Sequence, residues 1–256
     1  MFGLKQSKIL IAFTLIATGL LLFITFVFHP RQESAYAAEG EVVTVLNNLH
    51  WLGHASFRLD ASKVIYFDPW KLSPGSPKAD FIFITHDHYD HYSLDDVKII
   101  STKDTVIVAD NAVGRQLQGA RLDCRAIRSL FPGDNIEIDG VRINAVASYN
   151  IGKQFHTKNS QKLGFIVTID GIKIYNAGDT DNIPEMKNYL CDIALLPVSG
   201  TYVMTAEEAA QAALIIKPKV AIPMHYGDIV GSDSDARRFQ DLLKGKMEVK
   251  ILRKES

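Results

Sequence analysis

Residues 81–91 read Phe-Ile-Phe-Ile-Thr-His-Asp-His-Tyr-Asp-His, a hydrophobic strand that ends in three histidines and two aspartates. Burial of these imidazoles and carboxylates without partners would be costly, whereas a divalent cation turns the same groups into ligands. In a tight loop, His86 and His88 can converge on one ion, while Asp90 and His91 face a neighbouring one. The stretch therefore predicts a two-metal site rather than a solvated histidine-rich loop.

Two later segments have the same character. Residues 172–181 form a predicted strand that ends in a glycine and Asp179, where a carboxylate could bridge two ions. Residues 219–227 form another strand, which ends in His225. Neutral imidazoles combined with carboxylates suit Zn²⁺ best, with Mn²⁺ or Fe²⁺ as alternatives.

The order of these motifs carries a resemblance. Thr-His-Asp-His-Tyr-Asp-His at 85–91, Gly-Asp-Thr at 178–180 and Pro-Met-His-Tyr-Gly at 223–227 resemble the metallo-β-lactamase superfamily. Trp-Leu-Gly-His-Ala-Ser-Phe at 51–57 and Phe-Asp-Pro at 67–69 resemble motifs of one branch of this superfamily, which is related to ascorbate-lactone hydrolases and N-acylethanolamine phospholipases. The match runs from Val42 to Gly227. It implies an α/β fold, a four-layer αββα sandwich with the site at one edge between the sheets.

The resemblance also implies roles for individual residues. His86 and His88 would bind the first metal, Asp90, His91 and His225 the second, and Asp179 would bridge. The family supplies a third histidine to the first metal, and His156 is the only histidine in the relevant interval, so we assign it, with Asn150 as the rival. His54 is expected to be a buried histidine that is hydrogen-bonded beside the site. Asp68 is expected to be a carboxylate that orients an imidazole.

Two metal ions that share a water lower its pKa and polarise the bond to be cleaved, so the expected reaction is hydrolysis. Asp90 would also hold the nucleophile in line, and Tyr202 is a candidate for stabilising the oxyanion. Lys153, Lys158 and Lys162 could bind an anionic substrate, although solvated loop charges are the favoured interpretation.

The leading hypothesis is a hydrolase of a lactone, ester or phosphodiester. The alternatives are a membrane-associated lipid phosphodiesterase and a non-catalytic metal-binding protein of the same fold. A β-lactamase in the strict sense is less favoured, because nothing in the sequence identifies a drug substrate.

The N-terminus is a separate segment. Residues 9–28 form an uncharged apolar run preceded by Lys5 and Lys8, which is about the length of a membrane-spanning helix. Residues 35–37 read Ala-Tyr-Ala, the form of a signal-peptidase site. We expect residues 1–37 to be a cleaved signal or a membrane anchor outside the fold, followed by a hydrolase domain over 42–256. In either case the catalytic domain lies outside the cytoplasm.

Composition limits the partners. With 28 basic and 29 acidic residues the net charge is -1, which gives no overall attraction to nucleic acid. The expected partners are a small-molecule or lipid substrate and the membrane, while the oligomeric state is left open. Cys124 and Cys191 are predicted to be small buried apolar residues, with a disulfide left open for an exported domain.

Short apolar runs predict strands at 42–45, 56–59, 64–67, 81–84 and 105–108. The first four of these strands are expected to come before any helix. The Asp-Gly pairs at 139–140 and 170–171 lie between alternating apolar runs and predict tight hairpins. Helices are predicted to begin with caps at Ser93 and Thr205, and a last helix covers 233–243.

Overall fold

The computed structural model describes residues 40–255. It begins with a helical segment, α1 (residues 40–47), where the sequence predicted a strand over 42–45. That prediction is wrong. Val42, Val45 and Leu46 have the i, i+3, i+4 spacing of one helix face, and all three are buried in the core while Val43 is exposed. Burial of that face decides the conformation against the strand preference of the β-branched residues.

The first sheet has six strands in sequential order. They are β1 (Leu49–Gly53), β2 (Ser56–Asp60), β3 (Val64–Phe67), β4 (Phe81–Ile84), β5 (Val106–Asp110) and β6 (Ala126–Leu130). The first three strands pair antiparallel, and β3 to β6 pair parallel. The carboxyl ends of β4 and β5 therefore lie at the same edge.

The second sheet has seven strands, also in sequential order. They are β7 (Asn135–Ile138), β8 (Val141–Ala147), β9 (Leu163–Ile169), β10 (Ile172–Asn176), β11 (Ile193–Pro197), β12 (Val220–Met224) and β13 (Glu248–Val249). Strands β7 to β10 pair antiparallel and β10 to β13 parallel, so the two sheets have the same pattern of pairing.

Residues of β4 show how the layers are arranged. Phe81 and Phe83 belong to the large core that also contains residues of the second sheet, whereas Ile82 and Ile84 point into a smaller core with helix residues. This alternation follows from the period of two in a strand. Because both faces of β4 are covered, all four residues are apolar and buried.

Helices cover the outer faces. They are α2 (Leu94–Ile100) and α3 (Asn111–Gly119) on the first sheet, and α4 (Ala206–Ile216) and α5 (Asp233–Leu243) on the second. Two short 3₁₀ helices are found at Lys158–Ser160 and Pro184–Asn188. The predicted four-layer αββα sandwich is therefore confirmed.

The predicted local signals are found where expected. Ser93 accepts a hydrogen bond from the Asp96 backbone N–H at the start of α2, and Thr205 forms a capping box with Glu208 at the start of α4. Both Asp-Gly pairs have positive φ at both positions, which is the form of a type I′ turn, and they connect β7 to β8 and β9 to β10.

Cys124 and Cys191 are free, and both are partly buried rather than buried as predicted. Within residues 40–255, no helix is long and apolar enough to cross a membrane. The apolar run over 9–28 and the cleavage motif over 35–37 lie outside the described residues. From Val42 onward the described chain is one compact unit.

Candidate metal centre

The candidate metal centre lies where four strands end. Residues 85–91 follow β4, residues 148–156 follow β8, Asp179 follows β10, and His225 follows β12 directly. The carboxyl ends of parallel strands meet at one edge of a sheet, and the two sheets place these edges together. This topology brings together histidines and aspartates that are far apart in sequence, such as His86 and His225, which are 139 positions apart.

The first cluster consists of His86, His88, His156 and Asp179, whose candidate ligand atoms all lie within 4.8 Å of one another. The His156 Nε2 atom is 3.1 Å from His88 Nδ1, and the His86 Nε2 atom is 3.8 Å from Asp179 Oδ2. The structure thus places His156, the residue assigned from sequence, beside the two histidines of the loop.

The second cluster consists of His54, Asp90, His91 and His225, again with ligand atoms within 4.8 Å. Asp179 lies beside this cluster as well, because its Oδ1 atom is 3.1 Å from His91 Nε2 and 3.1 Å from His225 Nε2. One carboxylate oxygen of Asp179 therefore faces the second cluster while the other faces His86 of the first.

Several polar atoms in this centre lack hydrogen-bond partners. They are His86 Nε2, His91 Nε2, His225 Nε2 and Asp179 Oδ1, and all are buried. A buried polar atom without a partner is costly, and here the three imidazole nitrogens converge on the Asp179 carboxylate. Imidazole nitrogens and carboxylate oxygens are ligands of divalent transition metals, so the residues present fit two such ions.

The other nitrogen of each of these imidazoles has a hydrogen-bond partner. His91 Nδ1 lies 2.9 Å from Asp68 Oδ2, and His225 Nδ1 lies 3.1 Å from Ser199 Oγ. His156 Nδ1 lies 3.0 Å from the Asp179 backbone oxygen. An imidazole that donates from Nδ1 presents the lone pair of Nε2, which is the form that binds a metal.

Thr85 connects this supporting layer. Its backbone N–H and its hydroxyl both donate to Asp68, at 2.7 and 2.9 Å, so the hydroxyl oxygen is left to accept from His86 Nδ1 at 3.0 Å. Sequence reasoning missed Thr85 and Ser199, although Thr85 directly precedes the first histidine of the motif. The structure places Asp68 where it orients His91 and fixes Thr85.

Electrostatics follow the same arrangement. Burial alone would raise the pKa of Asp179, but attraction to His225 and His91 outweighs burial and holds this pKa well below its ordinary value. Burial would lower the pKa of His91, but Asp179 and Asp68 raise it well above its ordinary value. Burial and the positive field of His91 lower the pKa of His86. The pocket between the carboxylates thus favours positive charge, which a divalent cation supplies.

His54 lies inside the second cluster rather than around it. Its Nε2 atom is 3.0 Å from Asp90 Oδ2, and its ring centroid is 3.9 Å from that of His225. Its backbone oxygen accepts from the His225 N–H at 2.9 Å, so the turn after β1 is fixed to the end of β12. The expected role beside the site stays a prediction, and its position also makes His54 a candidate ligand.

Asn150, the rival to His156, has a different set of contacts. Its side-chain amide donates to the backbone oxygens of Tyr202 at 2.6 Å and Phe155 at 3.2 Å, and its backbone N–H donates to the His156 oxygen at 2.6 Å. Asn150 therefore joins two loops behind His156.

Tyr202, the residue predicted to stabilise the oxyanion, lies outside both clusters. Its side chain is exposed, and its ring packs against Phe155, which in turn packs edge-on against His88. The ring is thus one aromatic side chain away from the first cluster.

The three lysines around His156 are all paired with carboxylates. Lys153 contacts Asp181, Lys158 contacts Glu185, and Lys162 contacts both Asp87 and Asp110. Lys162 is nearly buried, so the favoured interpretation of solvated loop charges is wrong for it. Its ammonium instead holds the loop of His86 and His88 to the start of α3.

Comparison with known families decides the assignment. Residues 48–225, more than half of the chain, match the family Lactamase_B_3, described as a Beta-lactamase superfamily domain. The chain belongs to this superfamily. The narrower resemblance to ascorbate-lactone hydrolases and N-acylethanolamine phospholipases stays a prediction.

This β-lactamase-superfamily chain is similar to proteins named UPF0173 metal-dependent hydrolases. It is 33% identical over 217 residues to one from Thermococcus onnurineus, which covers 80% of this chain and 96% of the relative. It is 31% identical over 222 residues to one from Archaeoglobus fulgidus, with 79% and 94% covered. These relatives, together with the two clusters, make the chain a metal-dependent hydrolase.

Solved structures agree with the fold. A chain from Parabacteroides distasonis has 33% identity and a TM-score of 0.70, over 81% of this chain and 93% of its own. Igni18, a metallo hydrolase from Ignicoccus hospitalis, has 22% identity and a TM-score of 0.66, over 81% and 95%, and shares the fold.

Proposed function

We propose that this metal-dependent hydrolase uses two divalent ions, with Zn²⁺ the favoured metal and Mn²⁺ or Fe²⁺ the alternatives, to cleave a lactone, ester or phosphodiester. The observation that carries the proposal is the Asp179 carboxylate, which has one oxygen toward each cluster while imidazole nitrogens without partners surround it.

The ligand sets follow from the two clusters. His86, His88 and His156 would hold the first ion, Asp90, His91 and His225 the second, and Asp179 both. When bound, the ions supply an activated water at neutral pH and polarise the oxygen of the bond to be cleaved. Asp179, with one oxygen toward each cluster, would hold the two ligand sets in place relative to each other.

The chain's own residues orient the reacting groups. Asp90 accepts a hydrogen bond from His54 through Oδ2, which fixes the carboxylate so that it would hold the attacking water in line as well as bind the second ion. The Tyr202 hydroxyl is proposed to donate a hydrogen bond to the developing oxyanion. Its support is that its loop is joined to the loop of His156 through Asn150.

We also propose that the enzyme works outside the cytoplasm, exported or anchored to a membrane. The support is the apolar run over residues 9–28 with Lys5 and Lys8 before it.

Both candidate ligand sets are present in this chain. Their presence favours a catalytic protein over a metal-binding protein without turnover.

The full-length chain provides the test. We expect about two ions per chain by elemental analysis, and hydrolysis of at least one member of a panel of lactones, carboxylic esters and phosphodiesters. Asp179→Ala should bind less metal, because it removes the carboxylate that faces both clusters. Its kcat/KM should fall at least about 100-fold, which corresponds to about 2.7 kcal/mol of transition-state stabilisation.

Asp95→Ala is the matched control, since Asp95 is an exposed carboxylate that pairs with Lys98 on α2. It should retain both metal and activity. Fewer than one ion per chain, together with undiminished activity in Asp179→Ala, would refute the two-metal proposal.

A further inference from the structure

The loops that carry the two clusters also carry exposed apolar side chains. Among residues 40–255, half of the exposed large hydrophobic residues lie on these loops or on the loop after β11, which Asn150 joins to the loop of His156. We call this set the apolar rim, and it consists of Tyr89, Ile151, Phe155, Tyr202 and Ile229. Exposed apolar residues that are grouped around a site mark a ligand-binding surface, whereas scattered ones have no such meaning.

Contacts connect the apolar rim to the metal centre. The Phe155 ring lies edge-on to the His88 ring, with centroids 6.1 Å apart, and edge-on to the Tyr202 ring, with centroids 5.4 Å apart. A chain of aromatic contacts therefore runs from a histidine of the first cluster to an exposed tyrosine.

The apolar rim is held in place from behind. Asn150 is buried, and its amide donates to the backbone oxygens of both Phe155 and Tyr202. Tyr202 has a φ of 63°, a left-handed conformation that costs a non-glycine residue about 1–2 kcal/mol. Such strain persists where the surrounding contacts fix the backbone, and it is common in residues that position ligands.

Charge around the apolar rim determines what kind of group it suits. Each lysine of the segment that carries Ile151 and Phe155 has a carboxylate partner, and Lys153 also donates to the Val203 backbone oxygen. An anionic substrate would have to compete with these carboxylates for the ammonium groups. An uncharged apolar group does not need the lysine ammonium groups for binding, so their ion pairs with carboxylates do not weaken its binding.

We propose that Phe155, Tyr202 and Ile151 form the subsite for the acyl chain of an uncharged ester or lactone. This inference rests on the proposed function and deepens it, because it names the substrate class within the lactone, ester and phosphodiester group. The carbonyl would lie at the metal centre while the chain extends over the apolar rim.

The test compares acyl lengths on the metal-loaded full-length chain. We expect kcat/KM for p-nitrophenyl esters to rise from acetate to decanoate, up to about fourfold for each buried methylene, since each contributes about 0.8 kcal/mol. The anionic diester bis(p-nitrophenyl) phosphate should be the poorer substrate. Phe155→Ala should reduce the decanoate value at least tenfold while acetate changes less than threefold.

Phe131→Ala is the matched control. Phe131 is 41% exposed and Phe155 is 42% exposed, but Phe131 lies between β6 and β7 and outside the loops of the clusters. It should match the unsubstituted protein at every chain length. Tyr202→Phe keeps the ring, so the dependence on length should persist even if the loss of the hydroxyl lowers kcat for all esters.

Binding of decanamide by calorimetry separates this inference from the proposed function. Decanamide should bind the unsubstituted protein and Asp179→Ala but not Phe155→Ala, even if no ester is cleaved. The inference is overturned if kcat/KM is flat with chain length, if the phosphodiester is preferred, or if Phe155→Ala affects acetate and decanoate equally. It is also overturned if Phe155 supports only binding to phosphatidylcholine vesicles, which would assign the apolar rim to a bilayer surface.

Discussion

At the residue scale, Asp68 controls how His91 is presented. The carboxylate is fully buried and contacts the Thr85 backbone N–H, the Thr85 hydroxyl and the His91 Nδ1 atom. With its Nδ1 atom held by Asp68, His91 has its Nε2 atom facing Asp179. Loss of this kind of support typically weakens metal binding without removal of any ligand.

We predict that Asp68→Asn weakens metal binding by about 10- to 100-fold. An amide can still accept from Thr85, but it lacks the charge that stabilises the His91 proton. A competition titration with a chromogenic chelator measures the change. Asp96→Asn is the control, because the Asp96 side chain also accepts two backbone N–H groups, from Lys71 and Leu72, without contact to a histidine.

If Asp68→Asn and Asp96→Asn weaken metal binding equally, Asp68 acts only through general stability and the prediction is wrong. Thermal unfolding of both variants should show similar losses of stability, so that the difference appears in metal binding alone.

Residue roles could be predicted from sequence where local spacing places the groups together or where the order of the motifs resembles the superfamily. His86, His88, Asp90 and His91 lie in one loop, so their convergence follows from local spacing. The proximity of His54 to Asp90 depends on a turn with φ of 51° and on its backbone bond to His225 in the other sheet. No local pattern contains that contact, which is why the sequence places His54 beside the cluster rather than in it.

At the element scale, Gly178 connects β10 to Asp179 at a point where three segments meet. Its φ is 60°, and a Cβ atom there would lie 2.8 Å from the Leu163 backbone oxygen and 3.1 Å from Thr85 Cβ. The backbone cannot move away from both contacts without displacement of Asp179 or of the loop that begins at Thr85.

We predict that Gly178→Ala lowers the free energy of unfolding by about 2–5 kcal/mol, the sum of left-handed strain and overpacking. Urea denaturation measures the loss. Gly140→Ala is the control, since Gly140 also has positive φ but nothing lies within 4 Å of the position that a Cβ atom would take there. It should cost only the strain, about 1–2 kcal/mol. Equal losses in the two variants would show that the close approach at Gly178 has no energetic weight.

Elements with strong local signals were predictable, and the exception has a physical cause. The Asp-Gly turns and the caps at Ser93 and Thr205 depend on hydrogen bonds within a few residues. The segment over 42–47 has no comparable signal. Its β-branched residues favour a strand, and only burial of Val42, Val45 and Leu46 makes the helix more favourable.

At the scale of the whole molecule, the metal centre joins the two sheets. Candidate ligands from the end of β4 belong to the first sheet, and those from the ends of β10 and β12 belong to the second. Ions that bind only the folded arrangement stabilise it by mass action. The αββα layers themselves could be predicted from sequence, because the motif order carries the family resemblance.

We predict that removal of metal lowers the melting temperature. With free metal at 100 times its dissociation constant, one site contributes about 2.7 kcal/mol. For a domain of this size that is roughly 5–10 °C. Calorimetry with and without a chelator measures the shift, re-addition of Zn²⁺ should restore it, and Asp179→Ala should show a smaller shift. An unchanged melting temperature after verified metal removal would contradict a centre that bridges the sheets.

The contacts of Asn150 have a consequence for how this enzyme can diverge. One side chain supports Phe155 and Tyr202, while the backbone of the same residue holds His156. A lineage that rebuilds this part of the apolar rim to accept another molecule therefore also disturbs His156, a proposed ligand of the first metal. Changes of specificity should accumulate more easily at Ile229, on the loop after β12, than at Phe155 or Tyr202, where a change would also disturb the support of His156.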